Sequence, residues 1–354
     1  MTESSKLTAG SYLVILARMS NPKRVQFLAI GDILTDAFIS LQDAEVTCDI
    51  DKENCKLCVK FGQKIPYERV DVIHGVGNAT NAAVAAKRLG LTSGLLASVG
   101  NDEEGRTCLA HLEQEGIDTS GMITEDGKNT NYHYVLRYGA ERTILVKHES
   151  FTYKLPVWLD ENPPEWMYLT SIAENSLPYH AEIAAYAKRH PEVKVAFQPG
   201  TFQIKLGIEK LRDIYAISTA FFCKKDEAKQ ILNLPHAEYP ELHAAMRALG
   251  PKIVCITDGP NGATISDESG GWFIPMYPDP KEPVSRTGAG DACSSTIVAA
   301  LIQGLTPAEA LVWGPVNSMS VVQHIGAQGG LLWKDEIEKE LDHKPENYRV
   351  EKIF

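Results

Sequence analysis

The sequence predicts an α/β fold in three layers, α/β/α, in which helices cover both faces of a mostly parallel sheet and a small β-sheet forms a lid. Short apolar, β-rich runs recur along the chain, amphipathic stretches with readable helix ends separate them, and two segments break that rhythm with alternating patterns. At 354 residues, 44% of them hydrophobic, the chain can bury one large core and carry an appendage.

The apolar runs are Val25 to Ile30, Leu95 to Val99, Trp166 to Leu169, Val193 to Phe197, Ala220 to Cys223 and Ile253 to Thr257. Runs this short, alternating with helical stretches, read as strands of βαβ units. Helices are expected over Asn78 to Leu89 and Asp102 to Glu115, stopped by Gly90 and Gly116, because glycine enters the left-handed turn that ends a helix. Thr306-Pro307-Ala308-Glu309 sets an N-cap, a first-position proline and a capping-box acid in order ahead of a helix over Leu311 to His324.

The two irregular segments are roughly residues 37–72 and 129–147. In the second, Tyr132, Tyr134 and Leu136, then Thr143 and Leu145, alternate as strands do, and the two segments together are expected to form the lid. Val46 to Ile50 and Cys55 to Val59 flank Asp51 to Asn54 as a hairpin flanks its turn. The expected organisation is an N-terminal extension (1–24), a main domain (25–335) with the lid inserted, and a C-terminal tail (336–354). Met19-Ser-Asn-Pro-Lys-Arg offers a second plausible start just before the first strand, which would make residues 1–18 dispensable.

A net charge of −11 opposes nucleic acid as the main partner, since phosphate backbones are gripped by basic surfaces. The apolar run Tyr12 to Ala17 is far short of the ~20 residues of a membrane span, so no membrane partner is expected. Seven cysteines (48, 55, 58, 108, 223, 255 and 293) are an odd number in a chain too large to need disulfide staples, which predicts reduced thiols and a cytoplasmic protein. Cys55-x-x-Cys58 with Cys48 lacks the second pair of a zinc site and reads as strand cysteines.

The segment that carries chemistry is Arg286-Thr-Gly-Ala-Gly-Asp-Ala292, which runs into the apolar stretch Cys293 to Gln303, ended by Gly304. A glycine loop thus feeds a helix N-terminus, where unpaired N–H groups and the helix dipole favour an anion. Asp291 beside such a pocket would repel phosphate, unless it serves to take a proton. Phosphoryl transfer needs both parts, a base for the attacking hydroxyl and donors for the charge on the transferring group. Taken alone, the loop also fits an aspartate that merely caps a helix.

Other segments lie in a telling order: Ala29-Ile-Gly-Asp-Ile-Leu-Thr-Asp36, the glycine-rich Gly75-Val-Gly-Asn-Ala-Thr-Asn81 continuing to Gly90, Gly100-Asn-Asp-Glu-Glu-Gly105, Gly139-Ala-Glu-Arg-Thr143, Ile256-Thr-Asp-Gly-Pro-Asn-Gly-Ala263 and Gly326. With the Thr287 to Asp291 loop, these make the chain resemble the ribokinase-like, or PfkB, family of carbohydrate and nucleoside kinases over about residues 25–330. The resemblance implies a ribokinase-like fold, ATP as co-substrate, Mg²⁺, a monovalent cation, and a small-molecule sugar or nucleoside as acceptor.

Residue by residue, the resemblance makes Asp291 the base and Gly288, Ala289 and Gly290 the anion hole. It sets Asp36, Gly77 and Asn81 against substrate hydroxyls, and Thr257, Asp258, Gly259, Thr287 and Asn317 against the nucleotide. Glu227 would order Mg²⁺ through water. The substrate roles suit the chemistry, because a carboxylate accepts from two hydroxyls, an amide both donates and accepts, and glycine admits the ligand to the backbone. Asn317 also fits a buried helix-packing asparagine, and Asp36 a solvated loop acid.

Two positions depart from the family pattern: Ser285-Arg286 replaces an Asp-Thr pair, and Lys224 opens the Lys224-Lys-Asp-Glu227 element where an asparagine is usual. The expected function is in-line phosphorylation of a sugar hydroxymethyl. A nucleoside kinase is the alternative, with Tyr132, Tyr134 and Tyr138 as a stacking face. A non-catalytic sugar or nucleotide sensor, suggested by Arg286 and Lys224, and a dinucleotide-dependent oxidoreductase are the rivals from other classes. Apolar lid strands further predict a homodimer formed through the lid.

Overall fold

The computed structural model describes residues 24–48, 55–139 and 141–354, so the expected extension, apart from Arg24, and the turn Asp51 to Asn54 lie outside the described residues. The chain runs β1 (Phe27–Ile30), β2 (Leu34–Leu41), β3 (Glu45–Thr47), β4 (Lys56–Cys58), β5 (Tyr67–Val76), α1 (Asn78–Arg88), β6 (Ser93–Leu96), β7 (Ser98–Gly100), α2 (Glu103–Gln114) and β8 (Ile123–Glu125). Then come β9 (Asn131–Tyr138), β10 (Glu141–Leu145), β11 (Trp166–Leu169), α3 (Leu177–Arg189), β12 (Lys194–Phe197), α4 (Thr201–Ile217), β13 (Ala220–Lys224), α5 (Lys225–Leu232) and α6 (Tyr239–Ala248). The last elements are β14 (Ile253–Thr257), β15 (Ala263–Asp267), β16 (Gly270–Ile274), α7 (Ala289–Ile302), α8 (Pro307–Val322), α9 (Lys334–Asp342) and β17 (Glu351–Lys352).

The central sheet has nine strands in the order β17-β16-β15-β14-β13-β12-β11-β1-β6. It is parallel from β6 to β14 and antiparallel from β14 to β17. Alternation along β1 explains the three layers. Phe27 and Ala29 point into a core shared with α1, α2, α7 and α8, whereas Leu28 and Ile30 point into a second core shared with α3 to α6. All four are at most 2% exposed, which is why the strand reads as an unbroken apolar run. Among the described residues no helix is long and apolar enough to cross a membrane.

A separate four-stranded sheet, order β10-β9-β2-β5, is built from the two irregular segments. β2 pairs parallel with β9 and antiparallel with β5, with an extra residue on β5 between the pairs Leu34↔Val76 and Asp36↔Ile73. Such bulges re-aim side chains next to functional sites. One face of this sheet carries Phe38 and Val135, both 0% exposed, while the other carries Val70, Val72, Tyr134 and Leu145 at 44–52%. It therefore has an inner and an outer face.

Three expectations are corrected. Cys48 and Cys55 form a disulfide: β3 and β4 pair antiparallel with Thr47 opposite Lys56, which sets the next two residues across from one another with their Cα atoms 4.0 Å apart. Cys58 is exposed, and the remaining four cysteines are free and buried. The run Leu95 to Val99 is two strands, because the Ala97 carbonyl accepts from Ile123 N at 3.0 Å and draws β7 away to pair with β8.

The segment read as a tail, 336–354, is part of the fold. Ile337 is fully buried, β17 pairs with β16, and Tyr348 is 1% exposed, its hydroxyl donating to the Val312 carbonyl at 2.7 Å and its ring edge-on to Tyr277. Replacing so large a buried ring leaves a cavity and an unpaired carbonyl. Tyr348→Ala is expected to lower stability by about 3–5 kcal/mol in urea unfolding.

Candidate active site

Gly288 caps α7 at φ 83°, and a Cβ there would lie 2.3 Å from that of Ala327, so both backbone angle and space require glycine. No side chain caps this helix, which leaves the first-turn N–H groups of Ala289, Gly290 and Asp291 without an intrahelical partner. A Cβ added at Gly290 would meet nothing nearer than Gln198 Nε2 at 3.9 Å, so the backbone is open to a ligand. The cradle fits a phosphate group.

Asp291 sits in that first turn, 7% exposed. Its Oδ1 accepts from Asn78 Nδ2 at 2.8 Å and Gln198 Nε2 at 3.2 Å, and its Oδ2 from Asn81 Nδ2 at 2.9 Å. Asn78 and Asn81, three residues apart, share the face of α1 that meets α7. Burial pushes the Asp291 carboxyl above the usual carboxylate range, against the pull of the three amides and the charge of Lys224. An acid so held is a stronger base than one in water.

A buried network fixes those amides. Gln198 Oε1 accepts from Ser294 Oγ at 2.7 Å and from the Tyr168 hydroxyl. Asn81 Oδ1 accepts from Gln328 Nε2 at 3.1 Å, and Gln328 in turn binds the Gly75 carbonyl and His111. Asn81 N donates to the Gly77 carbonyl at 2.8 Å, and Gly77, at φ 120°, runs so close to Asp32 that a Cβ would lie 2.6 Å from its carbonyl oxygen.

Asp36 lies on the inner face of the lid sheet, opposite His133 of β9. No hydrogen bond links it to the Asp291 group among the described residues. Its side chain is 13% exposed and burial pushes its carboxyl up to about 7, with Arg142 pulling the other way. His133, 3.7 Å away, is pushed down to about 4 by burial and the neighbouring His148, so it is neutral at neutral pH. His148 Nδ1 lies 3.1 Å from Asp32, which also accepts from the Tyr153 hydroxyl.

In the loop expected to meet the nucleotide, Thr257 ends β14, Asp258 accepts from the Tyr239 hydroxyl at 2.9 Å and Gly259 follows at φ 51°. Thr287 N donates to Ser285 Oγ at 3.3 Å, shaping the approach to the cradle. Asn317 takes the packing role instead of the nucleotide one: it is 0% exposed, donating to Thr296 and accepting from Leu332 N, so both ends of its amide are spent inside the core. Glu227 acts as a helix cap, its Oε2 accepting from Lys224 N at 2.9 Å. Among the described residues no three His, Cys, Asp or Glu side chains converge as a metal site.

Asn78, Gln198, Tyr168, Ser294 and Gln328 were not singled out in the sequence. Asn78 had a signal, its three-residue spacing from Asn81 at a helix start, and Gln198 a weaker one at the carboxyl end of a strand. Gln328 had none.

Fold and site together define a phosphotransferase of the ribokinase fold. The ribokinase of Arabidopsis thaliana complexed with ribose and ATP superposes with a TM-score of 0.74 at 16% identity, covering 90% of this chain and 99% of that one. The nucleoside kinase of Methanocaldococcus jannaschii does so with 0.71 at 18%, covering 90% and 98%. In sequence the chain is 27% identical to the ribokinase of Bacillus subtilis over 285 residues, 79% of this chain and 92% of that protein. Residues 43–334 match the pfkB family carbohydrate kinases, and the chain belongs to that family.

The substrate role expected of Asp36 would make its charge state set a pH dependence. Its ionised form accepts from two hydroxyls and its protonated form from fewer, so kcat/KM is expected to fall as pH drops through about 7, and to plateau above it. A pH profile of kcat/KM that stays flat from 8 down to about 5.5 would remove Asp36 from substrate binding.

Proposed function

We propose that this kinase transfers the terminal phosphoryl group of ATP to a hydroxymethyl group of a sugar, with Asp291 as general base. The observation that carries the reading is a buried, basic carboxylate held by three amides at the mouth of an uncapped helix N-terminus. The acceptor oxygen bonds to the γ-phosphorus as the bond to the ADP oxygen breaks, and the hydroxyl proton passes to Asp291. The amides of Gly288, Ala289 and Gly290 hold the charge on the transferring group. Mg²⁺, when bound with ATP, neutralises the phosphate oxygens, and the cradle is where the terminal phosphate fits. Glu227, whose Oε2 accepts from Lys224 N, would hold the metal through water.

Asp36, Gly77 and Asn81 hold the sugar hydroxyls, and Thr257, Asp258, Gly259 and Thr287 border the nucleotide. Closing the lid over them excludes water as a competing acceptor. A sugar is favoured over a nucleoside because Tyr134 and Tyr138, which would have stacked on a base, are 48% and 37% exposed, with Tyr134 on the outer face of the lid. That outer face, with Val70, Val72 and Leu145 beside Tyr134, supports a homodimer in which two lids meet. Light scattering is expected to give twice the monomer mass, and Tyr134→Lys with Val72→Lys the monomer.

An ATP-consumption screen over sugars and nucleosides tests the activity. Asp291→Asn is expected to lower kcat by roughly 10²-fold or more with ATP binding retained, since a general base contributes about 10² to 10⁴. Turnover near that of the parent would exclude Asp291 as the base.

A further inference from the structure

A side-chain amide can face a neighbour with its oxygen or its nitrogen, and its partners decide which. Gln328, 4% exposed, sets one end of its amide 2.9 Å from the Gly75 carbonyl. That carbonyl can only accept, so the atom facing it is Nε2, and the atom facing His111 at 2.7 Å is Oε1. His111 must then carry a proton on Nε2, because two acceptors would otherwise meet.

The second hydrogen of Gln328 Nε2 goes to Asn81 Oδ1 at 3.1 Å. With its oxygen committed, Asn81 has only Nδ2 to offer Asp291, and it donates to Oδ2 at 2.9 Å. His111, Gln328, Asn81 and Asp291 thus form a chain of one direction, drawn from α2, the segment after α8, α1 and α7. The Gln198 arm lacks this property, since its Oε1 faces the hydroxyls of Tyr168 and Ser294, and a hydroxyl can turn its proton away.

Groups outside the site pin the chain. Arg88 Nη1 donates to the carbonyls of Gln328 and Leu331, both at 2.9 Å, while Nη2 pairs with Glu115 at 2.7 Å. Asn317 Oδ1 accepts from Leu332 N at 2.9 Å. The His111 ring lies against the bare backbone of Gly75, where a Cβ would come within 2.7 Å of His111 Cδ2, and Gly75 N donates to Cys108 Sγ at 3.2 Å.

We infer that His111 and Gln328 are positioning residues for phosphoryl transfer: through the fixed direction of the chain they make Asn81 present its N–H, and not its carbonyl, to Asp291. The inference rests on the reading of Asp291 as the base. An ionised carboxyl is met by an N–H donor, whereas a protonated one can donate to a carbonyl. Turning Asn81 round to meet the acid form would set its Nδ2 against Gln328 Nε2, donor against donor and out of water, a costly arrangement. The chain therefore favours the ionised form, which can take the hydroxyl proton, and works against the effect of burial on the same group. The charged and titratable groups facing the chain are Lys224 and Tyr168 at Asp291, Arg88 with Glu115 at Gln328, and Cys108 at Gly75. All of them stay in place in the variants below.

The carboxyl titration of Asp291 reads the chain without any substrate. In the full chain with ¹³C-labelled aspartate carboxyls, its resonance is the one that Asp291→Asn removes. Gln328→Leu and His111→Phe are expected to move that titration to higher pH. His111→Gln, which keeps a donor for Gln328 Oε1, is expected to bring it back towards the parent. With ATP and an acceptor from the sugar and nucleoside screen, both saturating, kcat of Gln328→Leu should fall about tenfold on the acid limb and recover as pH rises. Saturation separates this limb from that of Asp36, which is read in kcat/KM.

A loss of kcat equal at every pH, with the carboxyl titration unmoved, is what a purely structural role produces, and it overturns the inference. If Gln328→Leu does not fold, the contrast between the two His111 variants decides, and equal titrations in both overturn it. A titration that moves while kcat keeps the parent's pH profile bears out the chain and sinks the reading of Asp291 as the base. An unmoved titration beside a large loss in Asp291→Asn does the reverse.

Discussion

A carboxylate taken out of water beside a helix N-terminus is the constraint around which this molecule is arranged. Leaving such a charge unsolvated costs several kcal/mol, and it is tolerated only with good hydrogen-bond partners. Asn78 and Asn81 supply two from the start of α1, and Gln198 supplies the third from beyond β12. Those partners must be held in turn, so Tyr168, Ser294 and Gln328 are drawn into the same buried network. Asp291 therefore ties two helices and the parallel sheet to one point, next to the amides that await an anion.

The lid extends this arrangement by using the two faces of one sheet for different ends. Its inner face is polar where Asp36, His133, Arg69, Arg137 and Arg142 lie, and apolar at Phe38, Ile73, Val135 and Ile144. Its outer face is apolar and exposed. The chain enters the lid from β1 through Gly31, where a Cβ would lie 2.8 Å from that of Ala79 and 2.9 Å from the Ser171 carbonyl. The path from body to lid thus threads beneath α1, the helix that carries Asn78 and Asn81.

Where local reasoning went astray, a long-range contact overrode a local pattern. An odd cysteine count argued for thiols, yet the register of β3 and β4 sets Cys48 opposite Cys55. Asn317 has a side chain suited to a ligand, but the core claims both ends of its amide first. Residues 336–354 are strongly charged and read as a tail, though a few apolar positions, Ile337 and Tyr348 among them, are enough to dock the segment.

By itself the sequence determined the alternation of strands and helices, the glycines at helix ends and in the Gly288 to Asp291 loop, and the acid that sits in it. These are local properties, set by backbone sterics, side-chain periodicity and the chemistry of neighbouring residues. Only the tertiary structure decided which amides hold Asp291, because Asn78 and Asn81 lie 213 and 210 residues away from it in the chain and Gln198 lies 93 away. It alone lined up Arg69, Arg137 and Arg142, since their alignment depends on the register of strands far apart in the chain, and no single segment carries that information.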